Sequence, residues 1–231
     1  MARIPLITFV LGTRPEAIKL APVINEFMDC KFLKTRLVLT GQHREMVPQV
    51  MSLFGISADQ DLGLMIPDQT LTHVTRSVLK GLKEEFQDNP PRLVIVQGDT
   101  TTAFAASLAA FYEQIPVGHV EAGLRSDQQL DPFPEEVNRR LISQIAQLNF
   151  APTLISEKNL NEVGVLGQVF VTGNTVIDAV SLLAEKLPNN GFSDLDWDRQ
   201  RVILVTVHRG ENRGARLVGI ADGLKKILDQ N

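Results

Sequence analysis

Short apolar runs alternate with segments of helical periodicity over about the first 165 residues, and this alternation restricts the possible folds more than any other feature. The runs are rich in Val, Ile and Leu, as in the stretch from Leu93 to Val96, which is typical of strands buried on both faces. Such strands, each followed by an amphipathic helix, favour a parallel sheet with right-handed crossovers. The sequence therefore predicts an α/β fold with a doubly wound parallel sheet.

The pattern also predicts where the elements lie. The expected strands cover residues 6–10, 35–40, 61–64, 93–96, 116–120, 148–150 and 169–172, and the main helices 15–30, 71–86, 101–112, 136–147, 153–162 and a segment ending near 187. A linker is predicted at 188–198, followed by a strand at 202–207 and a helix at 217–228. We divide the chain into a first domain, 1–170, and a linker helix with the start of an incomplete second domain, 171–231.

The first strand leads into a turn and a helix that favour anion binding. Gly12 permits a tight turn, and Pro15 suits the first helical position. Arg14 then lies at the strand-to-helix junction, and Lys19 lies about one turn further on. Because ligands of open parallel sheets bind at the carboxyl ends of strands, a helix N-terminus beside Arg14 and Lys19 is a candidate phosphate site. The alternative is that both are solvated surface residues.

Cations and carboxylates occur together at the predicted strand ends. A diphosphate bound beside a centre where protons move needs both kinds of group, cations for the leaving group and carboxylates as acid and base. Each residue also has a structural alternative: capping a helix for Asp99, salt bridges for Glu121 and Glu135, and a satisfied polar role for His208. The candidates are Arg14, Lys19, Gln42, His43, Asp99, Glu121, Arg125, Glu135, His208 and Arg209.

Composition and missing motifs exclude several classes of function. A net charge of −4 gives no basic excess for nucleic-acid binding. The G-x-G-x-x-G fingerprint and the P-loop lysine are missing, which disfavours nicotinamide and ATP. His119-Val120-Glu121 matches the H-x-E of zinc deaminases, but no P-C-x-x-C follows it, so no metal is expected.

The remaining signals indicate a cytoplasmic protein. The single cysteine, Cys30, is expected to be a buried structural thiol, and it cannot form an internal disulfide. No apolar run has membrane-spanning length, and no signal-peptide pattern is present. We therefore expect no membrane partner.

Seven motifs occur in order along the chain: Gly12-Thr13-Arg14-Pro15-Glu16-Ala17-Ile18-Lys19, Gln42-His43-Arg44-Glu45-Met46, Gly98-Asp99-Thr100-Thr101-Thr102, Gly118-His119-Val120-Glu121-Ala122-Gly123-Leu124-Arg125, Pro134-Glu135-Glu136, Gly173-Asn174-Thr175 and His208-Arg209-Gly210-Glu211-Asn212. Together they resemble the non-hydrolysing UDP-N-acetylglucosamine 2-epimerases. The resemblance implies two Rossmann-like domains facing a cleft, as in glycosyltransferases of the B type, with the second domain truncated here. It also implies interconversion of UDP-N-acetylglucosamine and UDP-N-acetylmannosamine without a cofactor, in a homodimer.

The resemblance also implies a mechanism and residue roles. The family eliminates UDP to a glycal and adds it back with the opposite configuration at C2. By resemblance, Asp99, Glu121 and Glu135 supply acid, base and charge stabilisation, Lys19 and His208 take part in catalysis, and Arg14, Arg125 and Arg209 join them in binding substrate. Which carboxylate is acid and which is base stays open. Gln42 and His43 resemble part of a second, regulatory substrate site.

Two departures and three alternatives accompany this hypothesis. Gly210 follows Arg209 where family members often have a second arginine, and Asp131 stands where serine is common. The alternatives are a nucleotide-sugar glycosyltransferase, a hydrolysing epimerase and a non-catalytic UDP-sugar-binding fragment. Because the strand at 202–207 has no predicted neighbour, we expect the 231-residue chain by itself to be inactive.

Overall fold

The computed structural model describes residues 4–41, 46–66, 68–186, 195–196, 199, 201–207 and 214–229. The chain divides into two compact units, Met1–Leu187 and Pro188–Asn231. The first unit holds every strand found in these residues, namely β1 (Leu6–Leu11), β2 (Lys34–Leu39), β3 (Gln60–Asp61), β4 (Leu93–Gln97), β5 (Val117–Val120), β6 (Leu148–Ala151) and β7 (Gln168–Val171).

These strands form one parallel sheet in the order β3-β2-β1-β4-β5-β6-β7. β1 pairs with β2 on one side and with β4 on the other, with Ile7 opposite Leu93 in the second pair. The strand order therefore reverses between β1 and β4, where the crossover connections diverge to opposite sides and leave a crevice. The predicted doubly wound parallel sheet is confirmed.

Helices cover both faces of the sheet. They are α1 (Arg14–Met28), α2 (Met46–Leu53), α3 (Leu71–Asp88), α4 (Thr101–Tyr112), α5 (Glu135–Ile145), α6 (Leu154–Glu162) and α7 (Val176–Lys186). One buried cluster joins α3 and α4 to β4 and includes Leu82, Ala106 and Val96. A second joins α1 and α7 to β1 and includes Leu20, Ala179 and Phe9. With apolar layers on both sides, the sheet is a rigid support for the loops at its carboxyl edge.

In the second unit one predicted element is present and one is not. Helix α8 (Ala215–Asp229) agrees with the predicted helix. The strand predicted at 202–207 is wrong, because residues 201–207 are in no strand and Leu204 is 88% exposed. An apolar run becomes a strand only beside a hydrogen-bonding neighbour, and the described residues provide none for it. Most of the predicted linker at 188–198 lies outside these residues.

Cys30 also differs from expectation. It lies just beyond α1 and is only half-buried, because the chain turns toward the surface at the end of that helix. No helix in the described ranges is long and apolar enough to cross a membrane.

Candidate active site

A cleft of about 480 Å³ opens at the carboxyl edge of the sheet, next to the reversal between β1 and β4. Its walls come from the β1–α1 turn, the residues after β4 and β5, and the first turn of α5. Four of the predicted site residues line it: Lys19, Asp99, Glu121 and Glu135. The structure therefore brings together three carboxylates and one amine from four separate segments.

Glu121 is the most firmly held of the three carboxylates. It follows β5 directly and has a left-handed backbone, with φ of +67°, which is uncommon outside glycine. Lys19 Nζ lies 2.7 and 2.6 Å from its two carboxylate oxygens. Gln97 Nε2 donates to Oε2, and Asn174 Nδ2 donates to Oε1 at 3.1 Å. These contacts fix the orientation of Glu121 and place a cation beside it.

Asp99 follows β4, and its side chain pairs with Arg139 of α5. Asn138 Nδ2 donates to the backbone oxygen of Asp99 at 2.9 Å. Asp99 does not cap α4, since the cap is Thr100, whose Oγ1 accepts from the Ala103 N–H at 3.0 Å. The helix-capping alternative for Asp99 is therefore wrong, and α5 holds the residue from two sides.

The groups around Asp99 have opposing effects on the pKa of its carboxyl group. Burial is the largest influence and raises the pKa of its carboxyl group. Arg139 acts against burial, whereas the negative charges of Glu135 and Glu121 add to it. The net result is a raised pKa of the Asp99 carboxyl group.

Glu135 and Glu136 begin α5 and differ sharply in their contacts. Glu135 Oε2 is buried and accepts no hydrogen bond from the described residues. Glu136 is fully buried and accepts from Arg140 Nε at 2.6 Å, the Ser126 N–H at 3.0 Å and Arg139 Nη1 at 3.3 Å. Burial raises the pKa of Glu136, but these donors and the two arginine charges outweigh it and lower the pKa overall. Glu136 is thus a structural anion, and Glu135 faces the cleft.

Glu16 forms the floor of the cleft and joins the turns that follow β1 and β4. One carboxylate oxygen accepts from the N–H groups of Gly12 and Thr13 at 2.9 and 2.6 Å and from the Thr13 hydroxyl at 2.9 Å. The other accepts from the Thr100 hydroxyl at 2.5 Å. Burial raises the pKa of Glu16, and the four hydrogen bonds oppose that rise. The motif containing Arg14 is thereby tied to the motif containing Asp99.

His119 lies beneath the cleft, inside β5. It is fully buried, and its Nε2 donates to the backbone oxygen of Gly98 at 2.7 Å. Burial lowers the pKa of His119 to about 4; the hydrogen bond opposes this, and Arg125 and Arg139 reinforce it. His119 is therefore neutral at pH 7 and supports the turn that carries Asp99.

The other predicted site residues have different placements. Arg14 begins α1 and is exposed, with Nη1 3.8 Å from Met46 Sδ. Arg125 does not line the cleft, because its guanidinium donates to the Leu124 oxygen at 2.7 Å and to Ser143 Oγ at 3.5 Å. Outside the described residues lie Gln42, His43, His208 and Arg209.

Sequence reasoning missed several residues that hold the carboxylates. Asn138 and Arg139 follow Glu135 by three and four residues, a spacing that puts them near one helix face, and this signal was available. Asn174 lies within one of the quoted motifs, but nothing in its spacing indicates a contact with Glu121, 53 residues away. Within the described ranges, no group of three or more His, Cys, Asp or Glu side chains is placed to hold a metal ion.

Fold and cleft together define the class: a doubly wound, Rossmann-like α/β protein with a carboxylate-rich cleft at its switch point, where such folds bind ligands. A family model described as UDP-N-acetylglucosamine 2-epimerase matches residues 25–231. The chain therefore belongs to the UDP-N-acetylglucosamine 2-epimerase family, and the resemblance inferred from its motifs is confirmed.

Individual relatives agree with this assignment. The chain is 48% identical over 227 residues to the UDP-N-acetylglucosamine 2-epimerase of Neisseria meningitidis, with 94% of the chain and 59% of that protein aligned. It is 45% identical to the Escherichia coli K12 enzyme of the same name, with 94% of the chain and 60% of that enzyme aligned. The chain thus spans about 60% of the length of these curated relatives.

Solved structures show the same fold. The S. aureus MnaA–UDP co-structure superposes with a TM-score of 0.90 at 42% identity, covering 98% of this chain and 60% of that one. The Neisseria meningitidis UDP-GlcNAc 2-epimerase bound to UDP-GlcNAc gives a TM-score of 0.75 at 51% identity, covering 78% of this chain and 50% of that one.

Proposed function

We propose that the protein is a UDP-N-acetylglucosamine 2-epimerase, which interconverts UDP-N-acetylglucosamine and UDP-N-acetylmannosamine. The observation that carries the proposal is the cleft of a family member that is lined by Asp99, Glu121, Glu135 and Lys19, with Lys19 paired to Glu121. The relatives named for this activity, and the Neisseria structure bound to UDP-GlcNAc, support the choice of substrate.

The cleft contains the groups that such a reaction requires. The C2 proton of the sugar is not adjacent to a carbonyl, so direct removal is unfavourable. In an elimination, a carboxylate takes that proton, the C1–O bond breaks, and UDP leaves with the electron pair to give a glycal. Re-addition reverses these steps with the proton delivered to the opposite face of C2. Microscopic reversibility thus requires proton carriers on both faces, and three carboxylates are sufficient.

Cations near the carboxylates would stabilise the leaving diphosphate. Lys19 is in the cleft and Arg14 is at the end of β1, at the N-terminus of α1. His208 and Arg209 are proposed to contact the phosphates too, and Arg125 would have to leave Ser143 to do so. Gln42 and His43 are proposed as part of a regulatory substrate site.

The proposal extends to the architecture and setting of the whole protein. We propose two domains, assigned to 1–170 and from 171 onward, in a cytoplasmic homodimer. No cofactor is required, because elimination and re-addition leave the oxidation state of the substrate unchanged. Supply of an amino-sugar nucleotide for cell-envelope polysaccharide is the proposed setting.

Proton NMR of the reaction in deuterated water tests the activity. The test protein, termed the extended protein, is a chimera in which residues 1–231 are continued by the remaining residues of the Neisseria meningitidis relative. We expect UDP-N-acetylglucosamine to give both epimers with deuterium at C2, because C2 loses its proton to a carboxylate that exchanges with solvent. We also expect the 231-residue chain by itself to give no turnover.

Other results would support other functions. Free UDP together with N-acetylmannosamine would indicate a hydrolysing epimerase, and UDP release only with a sugar acceptor would indicate a glycosyltransferase. Binding of UDP-N-acetylglucosamine without any reaction of the extended protein would leave a binding function. Any of these results contradicts the proposal.

A further inference from the structure

The side chain of Arg139 connects the cleft to a buried anion outside it. One end of its guanidinium donates to Asp99, and Nη1 donates to Glu136 Oε2 at 3.3 Å. Its side chain is 13% exposed, whereas that of Asp99 is 24% exposed. Arg139 is therefore on the protein side of Asp99, and Asp99 is on the cleft side.

Glu136 keeps this guanidinium from turning away. Its other oxygen is occupied by Arg140 Nε at 2.6 Å, and the Ser126 N–H donates to the same oxygen as Arg139, at 3.0 Å. A planar guanidinium with partners at two edges has one favourable orientation, which a lysine ammonium could not reproduce. The direction in which Arg139 presents its hydrogen bond to Asp99 is thus set by Glu136, which Arg140 and the Ser126 N–H hold in place.

We propose that Arg139 is a positioning residue that aims the Asp99 carboxylate into the cleft and favours its ionised form over its protonated form. It acts through Asp99 and does not line the cleft itself. Asn138, the preceding residue of α5, fixes the backbone oxygen of Asp99, so the helix controls both the position and the charge of this residue.

The charges that face Asp99 make Arg139 the main group that favours its ionisation. Glu135 of α5 and Glu121 after β5 both oppose ionisation, and the charge of Glu121 is already countered by Lys19 of α1. Burial acts in the same direction as the two carboxylates. In the described part of the chain, Arg139 is the cation that touches Asp99, so its removal should raise the pKa of Asp99 further.

The test compares Arg139→Met with Arg140→Met in the 231-residue chain. Both variants remove one guanidinium from α5 and one donor from Glu136, but only Arg139 contacts Asp99. The measurement is the pH titration of the Asp99 carboxyl carbon by ¹³C NMR. We expect an upward shift of about one pH unit or more in Arg139→Met and less than about 0.3 in Arg140→Met. Equal shifts, or no shift in Arg139→Met, would overturn the proposal.

A kinetic measurement rests on the proposed epimerase activity and uses the extended protein. Arg139→Met should lower kcat about tenfold or more and move the pH limb set by Asp99 upward, with KM within about threefold of the parent. Arg140→Met should retain the parent profile. If the parent itself shows no epimerisation, the proposed function fails, while the titration still decides the role of Arg139.

Arg139→Lys separates charge from orientation, whereas Arg139→Gln, which also removes the charge, replaces Arg139→Met in the titration if that variant does not fold. Lysine keeps the positive charge but cannot reach Asp99 and Glu136 together. The Asp99 titration should therefore stay within about 0.5 pH unit of the parent, whereas kcat should still fall several-fold. A lysine variant with the parent's kcat would show that Arg139 does not aim the carboxylate.

Discussion

Three of the four carboxylates that line the cleft are candidate catalytic groups, and each of the three has a different set of partners. Glu121 is bound by Lys19, Asp99 is paired with Arg139, and one oxygen of Glu135 has no donor within the described residues. The three carboxylates therefore lie in three different local environments, which is the condition under which an acid and a base can arise side by side. The side chains around the carboxylates thus decide their roles.

The first residue-scale prediction is that Asp99→Asn in the extended protein loses turnover by roughly a hundredfold or more, because an amide cannot carry the proton. Stability should change by about 1 kcal/mol or less, since the amide oxygen of the new side chain still offers Arg139 an acceptor and Glu136 still pairs with that guanidinium. Turnover by NMR and denaturant unfolding measure the two effects. Turnover near that of the parent would leave Asp99 with a structural role only.

The second residue-scale prediction concerns His119. Its pKa of about 4 in the folded protein is below the ordinary value of 6.5, so the unfolded chain binds the proton more readily. The stability from keeping this ring neutral is complete above pH 6.5 and is lost as the pH falls toward 4. Between pH 7 and 4.5 the loss should be about 2 to 3 kcal/mol.

His119→Gln provides the control for this pH dependence. Glutamine can donate to the Gly98 oxygen but does not titrate, so the variant should lose less stability than the parent over the same pH interval. Urea unfolding at the two pH values measures the difference. Parallel losses in the two proteins would mean that His119 does not contribute to the acid sensitivity of the fold.

The sequence predicts that a residue lines the cleft when its position relative to a strand end is enough to bring it there. Asp99, Glu121 and Lys19 end strands or begin helices beside the reversal of the sheet, and all three line the cleft. Arg125 was expected there for the same reason, but its long side chain extends to Ser143. The helical spacing of Arg139 from Glu135 could have placed it near the cleft, but no local pattern encodes its pairing with Asp99, 40 residues earlier.

At the scale of elements, the local sequence predicts helices and those strands that have a neighbouring strand to pair with. Helix α4 has the predicted bounds, Thr101–Tyr112, since a threonine cap and a run of alanines define it locally. Strand β3 is reduced to two residues, and the apolar run at 202–207 forms no strand. Both failures have one cause, because strand formation depends on a partner that an apolar run does not reveal.

Two glycines give a matched test of how tightly α6 packs against the turn after β5. Gly123 lies in that turn against α6, and Gly164 follows α6 along the chain. Gly123 and Gly164 both have positive φ, +88° and +67°. A Cβ on Gly123 would lie 2.2 Å from the Ser156 oxygen, whereas one on Gly164 meets nothing described within 4 Å. Gly164→Ala should therefore cost about 1 kcal/mol, from backbone strain. Gly123→Ala should cost about 2 kcal/mol more, from the clash with α6.

Denaturant unfolding of the two variants measures these costs, with the parent alongside. Because Gly123 lies two residues after Glu121, its substitution should also reduce turnover in the extended protein. Equal destabilisation by the two alanines would show that α6 can move away from the turn at little cost.

At the scale of the whole molecule, protection from hydrogen exchange should differ between the two units. Amides of residues 6–10 and 93–96 lie in paired central strands, and they should exchange roughly a thousandfold or more slowly than those of residues 202–207. Exchange followed by mass spectrometry in the 231-residue chain measures this. Strong protection across 202–207 would mean that these residues find a strand partner.

The contacts of Glu121 join residues that are distant along the chain. Lys19 lies 102 residues before it and Asn174 lies 53 residues after it. Closing such long loops is slow, and it can be favourable only once β4 and β5 are paired. We therefore expect the ion pair of the cleft to form late in folding, after the sheet that carries it.

Late formation has a consequence for the lifetime of the native state. Contacts absent from the folding transition state slow unfolding and leave refolding almost unaffected. Lys19→Met should thus increase the rate of unfolding and leave the rate of refolding unchanged. A chevron plot measures both rates, and only its unfolding arm should change. The ion pair between Lys19 and Glu121 would then form after the sheet and set the lifetime of the folded cleft through the rate of unfolding.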